Sequence, residues 1–485
     1  MPHSPAKSRM QQKTNTLYDL TSKKWGSDQY CLLKIYNMLI RSKLDYGCII
    51  YNSASPTALK ILDPISNKAL RTSTGCFKST PRETLHVLAN EKPLHLRRRE
   101  LSLRYYYKIR GYPENPTFNS AVDTSMKNLF QIKNLQPPFS IRITNYKNQL
   151  QINNVHILPS FSYSRLNIAI PTWSLERVIV NRDLCIYPKA TTPEQLFKVC
   201  FAELRKALYG EFEEIYTDGS KSVEGVGAAA VYCGAVRSHS LPVEASIFTA
   251  EATAIQLALN IAQDGDKTKY VIMSDSSSVL FAIENRSHKH PLIRKIQHKI
   301  ASLNAEDKTV QLCWIPGHAG IAGNERAYEM AKRAIHRTVT DAPMHYRDMI
   351  PVMREAIRQK WNQLWRESGQ KMVEIRPDIG PWKTEGTLKR RDEIVTNRLR
   401  AGHTLLTHGY LMDNTVPDIA PYCELCNESS LTVKHVLLHC TAVDDHRRAK
   451  FPIYRARQNV TMCDLLGDDS TVSCVINFAR AINMY

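Results

Sequence analysis

The segment from residue 212 to residue 336 alternates short apolar runs with amphipathic runs, and this alternation restricts the possible folds more than any other feature of the chain. Five stretches are predicted strands: FEEIYTDGS, VGAAAVYCG, VRSHSLPVEA, KYVIMSD and TVQLCWIPG. Four are predicted helices: FTAEATAIQLALNIA, SSSVLFAIEN, LIRKIQHKIASL and a segment that starts near Asn324. We therefore predict a mixed α/β domain.

The regions on either side of this domain are predicted to be mostly helical. Apolar residues recur at near-helical spacing in 29–110, and 350–485 is basic with similar helical runs. Residues 111–200 contain many prolines and little periodicity, which predicts a linker with short strands. The predicted organisation has four segments: a helical region 1–115, a linker 116–205, the α/β domain 206–340 and a basic helical region 341–485.

The composition favours a multidomain protein with a polyanionic partner. A chain of 485 residues is too long for one typical core, and a hydrophobic content of 43% is sufficient for several. The net charge of +19 favours nucleic acid as the partner, and the alternative is a basic protein without one.

The sequence predicts neither a membrane span nor a secretory signal. No apolar run approaches the ~20 residues that a spanning helix needs, and the N-terminal MPHSPAKSRMQQK has no apolar core. The twelve cysteines are scattered apart from one cluster, which favours reduced thiols over disulfides. We expect an intracellular protein, in the cytoplasm or nucleus, without a membrane partner.

Three carboxylates occupy positions that together indicate a site. Asp218 follows the apolar end of a predicted strand, Asp275 follows another, and Glu251 lies in the first turn of a predicted helix. Each has a structural explanation, as a turn residue, a helix N-cap or a partner of the helix dipole. Two strand ends and one helix start can nevertheless meet at the same edge of a small sheet.

Carboxylates gathered in this way would repel one another, and a divalent cation would remove that penalty. Oxygen ligands in a water-accessible cluster suit Mg²⁺ or Mn²⁺. Two such ions ~4 Å apart can activate water and stabilise the leaving oxygen of a phosphodiester. A basic chain with an acidic metal cluster therefore has the charges that nucleic-acid hydrolysis needs.

The loop in IPGHAGIAGNERAYEMA follows the last predicted strand and leads into a helix. Its glycines, Gly317, Gly320 and Gly323, permit a tight turn. His318 in this loop is expected at the rim of the site, where it could protonate a leaving group. A histidine that is merely exposed is the alternative.

The cysteine cluster in PYCELCNESSLTVKHVLLHC predicts a second metal site. Three cysteines and a histidine with this spacing form a closed tetrahedral Zn²⁺ site. The predicted ligands are Cys423, Cys426, His435 and Cys440. His439 competes with His435, because the two lie one turn apart on a predicted helix.

Residues 212–336 resemble the ribonuclease H family. The TDGS around Asp218, the helical Glu251, the SDS around Asp275 and the WIPGHAGIAGNE loop occur in that family's order and approximate spacing. The resemblance implies a five-stranded mixed sheet with flanking helices, two Mg²⁺ ions and cleavage of the RNA strand in an RNA–DNA hybrid.

The resemblance also implies roles for individual residues. Asp218 would bridge both metal ions, and Glu251 and Asp275 would complete one of the two metal sites. His318 would be the mobile histidine of the family. The implied substrate-binding residues are Gly219, Ser220 and Asn324.

This sequence departs from the family at Tyr328, where the pattern has a fourth acid. Tyrosine is neutral at physiological pH and a poor Mg²⁺ ligand, so the site for the attacking water would be weakened. Glu329 is the next residue, but one position turns a side chain ~100° around the helix. Glu325 lies one turn back on the same side and could act through a water. We therefore expect reduced activity.

Other parts of the chain resemble the C-terminal part of the polyproteins of insect non-LTR retrotransposons. The cysteine cluster is similar to their CCHC zinc knuckle, which implies nucleic-acid binding. LLKIYNMLIRSKLDYGCIIYNSA resembles the thumb and connection region after the polymerase palm. A tyrosine- or phenylalanine-x-Asp-Asp motif is absent from the sequence, so we expect a truncated polyprotein without polymerase activity.

The predicted function is metal-dependent cleavage of RNA–DNA hybrids, with hybrid and RNA as partners. One alternative is a weakened or inactive nucleic-acid-binding remnant that keeps the fold as a binding surface. Another is a protein-interaction scaffold, whose binding would depend little on salt.

Overall fold

The computed structural model describes the chain outside residues 1–13, 23–25, 133–135, 160–177, 190, 340–343, 383–387, 413–421, 457–458, 483 and 485. The chain divides into two compact units. One contains Met1–Leu103, Met126–Arg142 and Arg354–Tyr485, and the other contains Arg104–Ser125 and Ile143–Met353. No helix in the described part is both long and apolar enough to cross a bilayer.

A six-stranded mixed sheet lies at the centre of the second unit, within the residues described. The strands are β1 (Val180–Asn181), β2 (Glu213–Lys221), β3 (Val226–Tyr232), β4 (Ala235–Leu241), β5 (Lys269–Ser274) and β6 (Thr309–Trp314). Their order across the sheet is β1-β6-β5-β2-β3-β4. Strands β1, β6, β5 and β2 are parallel neighbours, and β2, β3 and β4 form an antiparallel meander. The predicted mixed α/β domain is confirmed.

Two details of the sheet differ from prediction. The short strand β1 comes from the predicted linker and adds a sixth strand beside β6, since Val180 pairs with Leu312. Strand β2 does not end at Asp218 but continues to Lys221. The continuation is stabilised by β3, because Asp218 pairs with Ala229 inside the antiparallel ladder.

Helices cover both faces of this sheet. The helices of the unit that pack near it are α1 (Glu194–Leu208), α2 (Ile247–Asp264), α3 (Ser277–Glu284), α4 (Pro291–Ala305) and α5 (Ala322–Ala334). Helix α2 meets the sheet at Gly219, whereas α5 meets it at Gly227, the partner of Ser220. Neighbouring positions of a strand point to opposite faces, so α2 and α5 lie on opposite sides of β2 and β3.

Small residues allow this two-sided packing. Ala228, Ala229 and Ala230 of β3 have no exposed surface, although alanine is a weak strand former. Helices on both faces leave little room for larger side chains at these positions. Strand β5 supplies the bulkier part of the core, with Val271, Ile272 and Met273 fully buried.

The first unit is helical in its described part, as predicted for both flanks. Its helices, with those that continue into the second unit, are Gln29–Tyr36, Ser42–Asp45, Cys48–Tyr51, Pro56–Lys60, Asp63–Thr74, Arg82–Leu88, Leu94–Arg110, Lys127–Ile132, Phe139–Gln149, Met349–Arg366, Arg390–Ala401, Leu405–His408, Asp444–Lys450, Ile453–Ala456, Met462–Leu466 and Asp469–Ala481. Segments from both flanks meet in this unit. The Asn397 side-chain amide donates to the Thr74 carbonyl at 2.9 Å, and Arg398 Nε donates to the Gly75 carbonyl at 2.9 Å.

The predicted linker contains more helix than expected. Phe118–Val122, Phe139–Gln149 and most of α1 lie within 116–205, whereas β1 is its strand in the described part. The high proline content does not exclude helices here, because prolines are tolerated at helix starts. Pro138 and Pro193 stand immediately before two of these helices. The four-segment division itself stays a prediction.

Replacing Ile272 with alanine is expected to destabilise the sheet by about 2–5 kcal/mol, because the lost methyl groups leave a cavity. Ile272 is fully buried and pairs with Ile215 on one side and Leu312 on the other. Native-state hydrogen exchange of the β5 and β6 amides measures the loss. Val223→Ala is the matched control, since Val223 is 96% exposed. Equal protection in both variants would contradict this packing.

Candidate functional site

The structure brings Asp218, Glu251 and Asp275 together at one edge of the sheet. Strands β2 and β5 are parallel neighbours with Thr217 opposite Ser274, and an aspartate follows each of them: Asp218 within β2 and Asp275 just after β5. Glu251 approaches from α2. One carboxylate oxygen from each residue lies within 4.8 Å of the others. Asp218 and Glu251 are buried and Asp275 is half-buried, so the cluster is reached from the Asp275 side.

Glu251 lies in the second turn of α2, and the prediction of the first turn was wrong. The helix begins one residue earlier than predicted, at Ile247, because Ser246 caps it and accepts a hydrogen bond from the Thr249 amide at 3.2 Å. Stabilisation by the helix dipole therefore explains little about the carboxylate of Glu251, since the effect of the dipole falls off beyond the first turn.

Two glycines make this close approach possible. A Cβ at Gly219 would lie 2.7 Å from the backbone nitrogen of Glu251, so only glycine lets α2 approach β2 this closely. A Cβ at Gly317 would lie 2.1 Å from a carboxylate oxygen of Asp275. The glycine-rich loop therefore packs directly against the acidic cluster.

Burial and mutual repulsion make the ionised cluster unfavourable. Burial, followed by the charge of Asp275, raises the pKa of Asp218 to about 7, above the usual 3.8. Burial and the charges of Asp218 and Asp275 raise the pKa of Glu251 to about 9. Burial also raises the pKa of Asp275, although the nearby charge of Lys189 opposes this.

The cluster has the properties of a cation site. Glu251 Oε2 is buried and has no hydrogen-bond partner among the described residues, an arrangement that costs free energy unless something binds there. Three carboxylates supply hard oxygen donors, which fit Mg²⁺ or Mn²⁺. The residues present therefore fit a divalent cation held by Asp218, Glu251 and Asp275.

Asn324 adjoins this cluster from the first turn of α5. Its side chain forms a hydrogen bond with Asp275 that lowers the pKa of that carboxyl, against the larger effect of burial. Asn324 is 3% exposed, and its Oδ1 has no partner among the described residues. The substrate-binding role of Asn324 stays a prediction.

His318 lies within electrostatic reach of Asp275, and its catalytic role stays a prediction. Its side chain is 64% exposed, its backbone has a positive φ of 52°, and Nδ1 lies 3.8 Å from a Glu325 carboxylate oxygen. Its ring packs edge-on against Tyr328, with centroids 5.0 Å apart. Tyr328 therefore contacts the histidine through its ring.

Glu325, in the first turn of α5, is a further carboxylate near the cluster. Its charge contributes to the raised pKa of Asp218, after the larger effects of burial and Asp275, so Glu325 lies within electrostatic reach of the cluster. Ser220 is half-buried near the end of β2 and Gly219 is buried. The substrate-binding roles of Gly219 and Ser220 stay predictions.

Lys189 is a residue of this site that sequence reasoning missed. It follows Tyr187 and Pro188 in the predicted linker, and its charge lowers the pKa of Asp275 against the effect of burial. No local pattern distinguishes it from the other lysines of a basic chain. Only the tertiary position of its loop gives it a place beside the carboxylates.

The cysteine cluster forms a separate site in the first unit. The sulfur atoms of Cys423 and Cys440 are 3.9 Å apart, and Cys426 Sγ lies 3.4 Å from His435 Nε2. A Zn–S bond of ~2.3 Å gives a tetrahedral edge of ~3.8 Å, so these separations fit zinc. Among the described residues His435 belongs to the four-ligand group, and His439 does not.

Hydrogen bonds hold this site in shape. The Cys423 amide donates to the Ser429 carbonyl at 2.9 Å, and the Asn427 amide donates to the Cys423 carbonyl at 2.8 Å. Arg447, which is 3% exposed, donates to the Cys440 carbonyl at 2.8 Å. Burial raises the pKa of Cys440 to about 11, so zinc binding would displace its proton.

The ribonuclease H family model, described as RNase H, matches residues 211–336, which run from just before β2 to just after α5. No curated protein matches the chain. The α/β domain therefore has a ribonuclease H-like fold between helical flanks, and this segment is classified with ribonuclease H.

Without a divalent cation, the second unit is expected to lose stability as the pH rises from about 6.5 to 9. In this range its folded state holds protons that its unfolded state does not, because the pKa values of Asp218 and Glu251 are raised. The range starts at about 6.5 because the lowered pKa values of the buried His290 and His345 give the opposite slope below it. Asp218→Asn should reduce this loss of stability by about 1 kcal/mol or more, since one pKa unit corresponds to about 1.4 kcal/mol. Thermal unfolding in chelator at several pH values measures it.

The matched control for this experiment is Asp264→Asn at the far end of α2, where the carboxylate is 58% exposed. It should leave the pH dependence of wild type unchanged. Identical pH profiles for Asp218→Asn and wild type would contradict the raised pKa values.

The purified chain is expected to contain one zinc ion, which His435→Ala should release. His439→Ala is the matched control and should keep the metal, because His439 lies outside the four-ligand group. Zinc content by atomic emission, together with thermal unfolding of the first unit, measures both effects. Retention of zinc by His435→Ala and loss by His439→Ala would reverse the assignment.

Proposed function

We propose that residues 211–336 form a metal-dependent ribonuclease that cleaves the RNA strand of RNA–DNA hybrids. The observation that carries the proposal is the convergence of Asp218, Glu251 and Asp275, with one oxygen from each within 4.8 Å of the others. The match to the ribonuclease H family supports the same conclusion from sequence.

Asp218, Glu251 and Asp275 would hold the divalent cation. When bound, Mg²⁺ or Mn²⁺ supplies Lewis acidity and lowers the pKa of water. Hydrolysis joins a water oxygen to phosphorus, breaks the bond from phosphorus to a sugar oxygen and moves a proton to that leaving oxygen. The acidic cluster supplies the negative charge that would bind the cation.

Three further residues near the carboxylates would assist hydrolysis. Asn324 fixes the orientation of Asp275 through its hydrogen bond. His318 is exposed and able to exchange protons with solvent, which suits transfer to the leaving oxygen. Lys189 adds a positive charge near Asp275, where a phosphate of the substrate would be attracted.

A catalytically weakened nucleic-acid-binding remnant is the second candidate function, and the packing of Tyr328 favours it. Tyr328 occupies the position of the family's fourth acid and contacts His318. Glu325 lies near Asp218 but outside the three-carboxylate group among the described residues. The protein would therefore be a slow nuclease, whose cleavage rate is limited by the tyrosine at position 328.

The flanks are proposed to bind nucleic acid in a retrotransposon-derived protein of the insect non-LTR type. Supporting observations are the net charge of +19 and the zinc-type geometry of the cysteine cluster. The thumb-like N-terminal region and the zinc knuckle would hold RNA or hybrid by contacts that weaken with salt.

Wild type is expected to cleave a labelled RNA–DNA hybrid with Mg²⁺ or Mn²⁺ and to leave duplex DNA intact. Asp275→Asn should reduce the rate at least a hundredfold, because it removes one carboxylate of the cluster. Tyr328→Asp should raise the rate about tenfold or more by restoring the fourth acid. Single-turnover cleavage measures all three.

Outcomes of this assay separate the two candidate functions. Cleavage that is equal in wild type and Asp275→Asn would show a contaminating nuclease and refute the proposal. Hybrid binding without cleavage, and cleavage only in Tyr328→Asp, would establish the inactive remnant. Tyr328→Phe is the control that preserves the ring, and it should behave like wild type.

A further inference from the structure

Asp348 is a buried carboxylate that lies beyond the segment matched by the ribonuclease H model. It ends the short 3₁₀ helix Tyr346–Asp348 and is 6% exposed. Its two oxygens accept hydrogen bonds from Ser246 Oγ and Thr249 Oγ1, each at 2.7 Å. Since burial of an unpaired carboxylate is costly, these two donors are its main local compensation.

Both donors belong to the N-terminus of α2. Ser246 is the capping residue, and its hydroxyl accepts from the Thr249 amide while donating to Asp348. Asp348 therefore supports the cap from outside, and its negative charge complements the positive end of the helix dipole. Hydrogen bonds to Asp348, about 100 positions later in the chain, therefore restrain the first turn of the 18-residue helix α2.

The segment that carries Asp348 is itself anchored. The Met344 amide donates to the His156 carbonyl at 2.9 Å, and the Leu158 amide donates to the Met344 carbonyl at 2.7 Å. Met344 and Met349 are also buried, at 1% and 0% exposure. The carboxylate therefore has a fixed position from which to restrain α2.

This restraint acts two residues from a candidate metal ligand. Thr249 lies in the first turn of α2 and Glu251 in the second, and the backbone nitrogen of Glu251 packs against Gly219. The sheet limits movement of the helix in one direction, and Asp348 limits movement of its end. A loosened first turn would displace the Glu251 carboxylate from Asp218.

We propose that Asp348 is a positioning residue for the acidic cluster, which holds Glu251 in place through the hydroxyls of Ser246 and Thr249. Its role in cleavage rests on the proposed nuclease function, whereas its role in ordering α2 does not. The functional unit of the nuclease then extends to at least residue 348, past the end of the family match.

The experiment compares full-length wild type with Asp348→Asn and Asp348→Ala. Amide hydrogen exchange in chelator reports the order of α2 without any metal. We expect amides from 250 to 253 to exchange at least tenfold faster in both variants, more so in Asp348→Ala. Amides from 257 to 262 should keep their wild-type rates.

Asp264→Asn is the matched control, because it removes an exposed carboxylate from the other end of the same helix. It should change neither exchange at 250–253 nor Mn²⁺ affinity. For Asp348→Ala, Mn²⁺ affinity should fall about tenfold, and cleavage should lose rate at saturating hybrid with little change in KM.

A double-mutant comparison identifies the path of the effect. Thr249→Val removes the hydroxyl and keeps the shape of the side chain. If Asp348 acts through this hydroxyl, adding Thr249→Val to Asp348→Ala should change exchange and Mn²⁺ affinity much less than adding it to wild type. Fully additive effects would overturn the proposed path.

The outcomes also separate this inference from the nuclease proposal. Wild type that binds no Mn²⁺ and cleaves no hybrid would refute the nuclease, while faster exchange in Asp348→Ala would still support the ordering of α2. Wild-type exchange at 250–253 in both Asp348 variants would overturn the inference, even if wild type cleaves hybrids.

Discussion

The mutual repulsion of three carboxylates, two buried and one half-buried, is the constraint on which the rest of the second unit depends. Burial and neighbouring charge raise the pKa of Asp218 to about 7 and that of Glu251 to about 9. Without a cation the fold holds this cluster at a cost, so the surrounding structure must enforce it. The parallel pairing of β2 with β5, the close packing of α2 at Gly219 and the cap at Ser246 all serve that purpose. A divalent cation would offset the repulsion between the carboxylates, and this relief would favour its binding.

Several parts of this arrangement could be predicted from the sequence because they depend on local pattern. Alternating apolar runs identify the strands and the large helices, and Asp218 and Asp275 stand where two strands carry their last apolar residues. The continuation of β2 past Asp218 could not be predicted, since pairing with β3 overrides the turn preference of Asp-Gly-Ser. The spacing of the cysteine cluster predicts a four-ligand metal site, whereas the choice of His435 over His439 depends on the coordinates, which group His435 with the three cysteines.

Other features come from segments whose local sequence has no distinguishing signal. Lys189 and strand β1 come from a proline-rich stretch, and Asp348 from a short 3₁₀ helix after the matched domain. Each gains its role from a tertiary contact with a residue far away in the chain. Tyr328 is intermediate: the sequence alone suggests a departure from the pattern that the resemblance implies, whereas its contact with His318 is visible only in the structure.

The central claim is that the acidic cluster binds divalent cations, and anomalous diffraction from crystals grown with Mn²⁺ tests it most directly. The account predicts an anomalous peak within about 2.0–2.3 Å of carboxylate oxygens of Asp218, Glu251 and Asp275. It also predicts that the peak disappears in crystals of Glu251→Gln. Well-ordered carboxylates with no peak between them at saturating Mn²⁺ would contradict the claim.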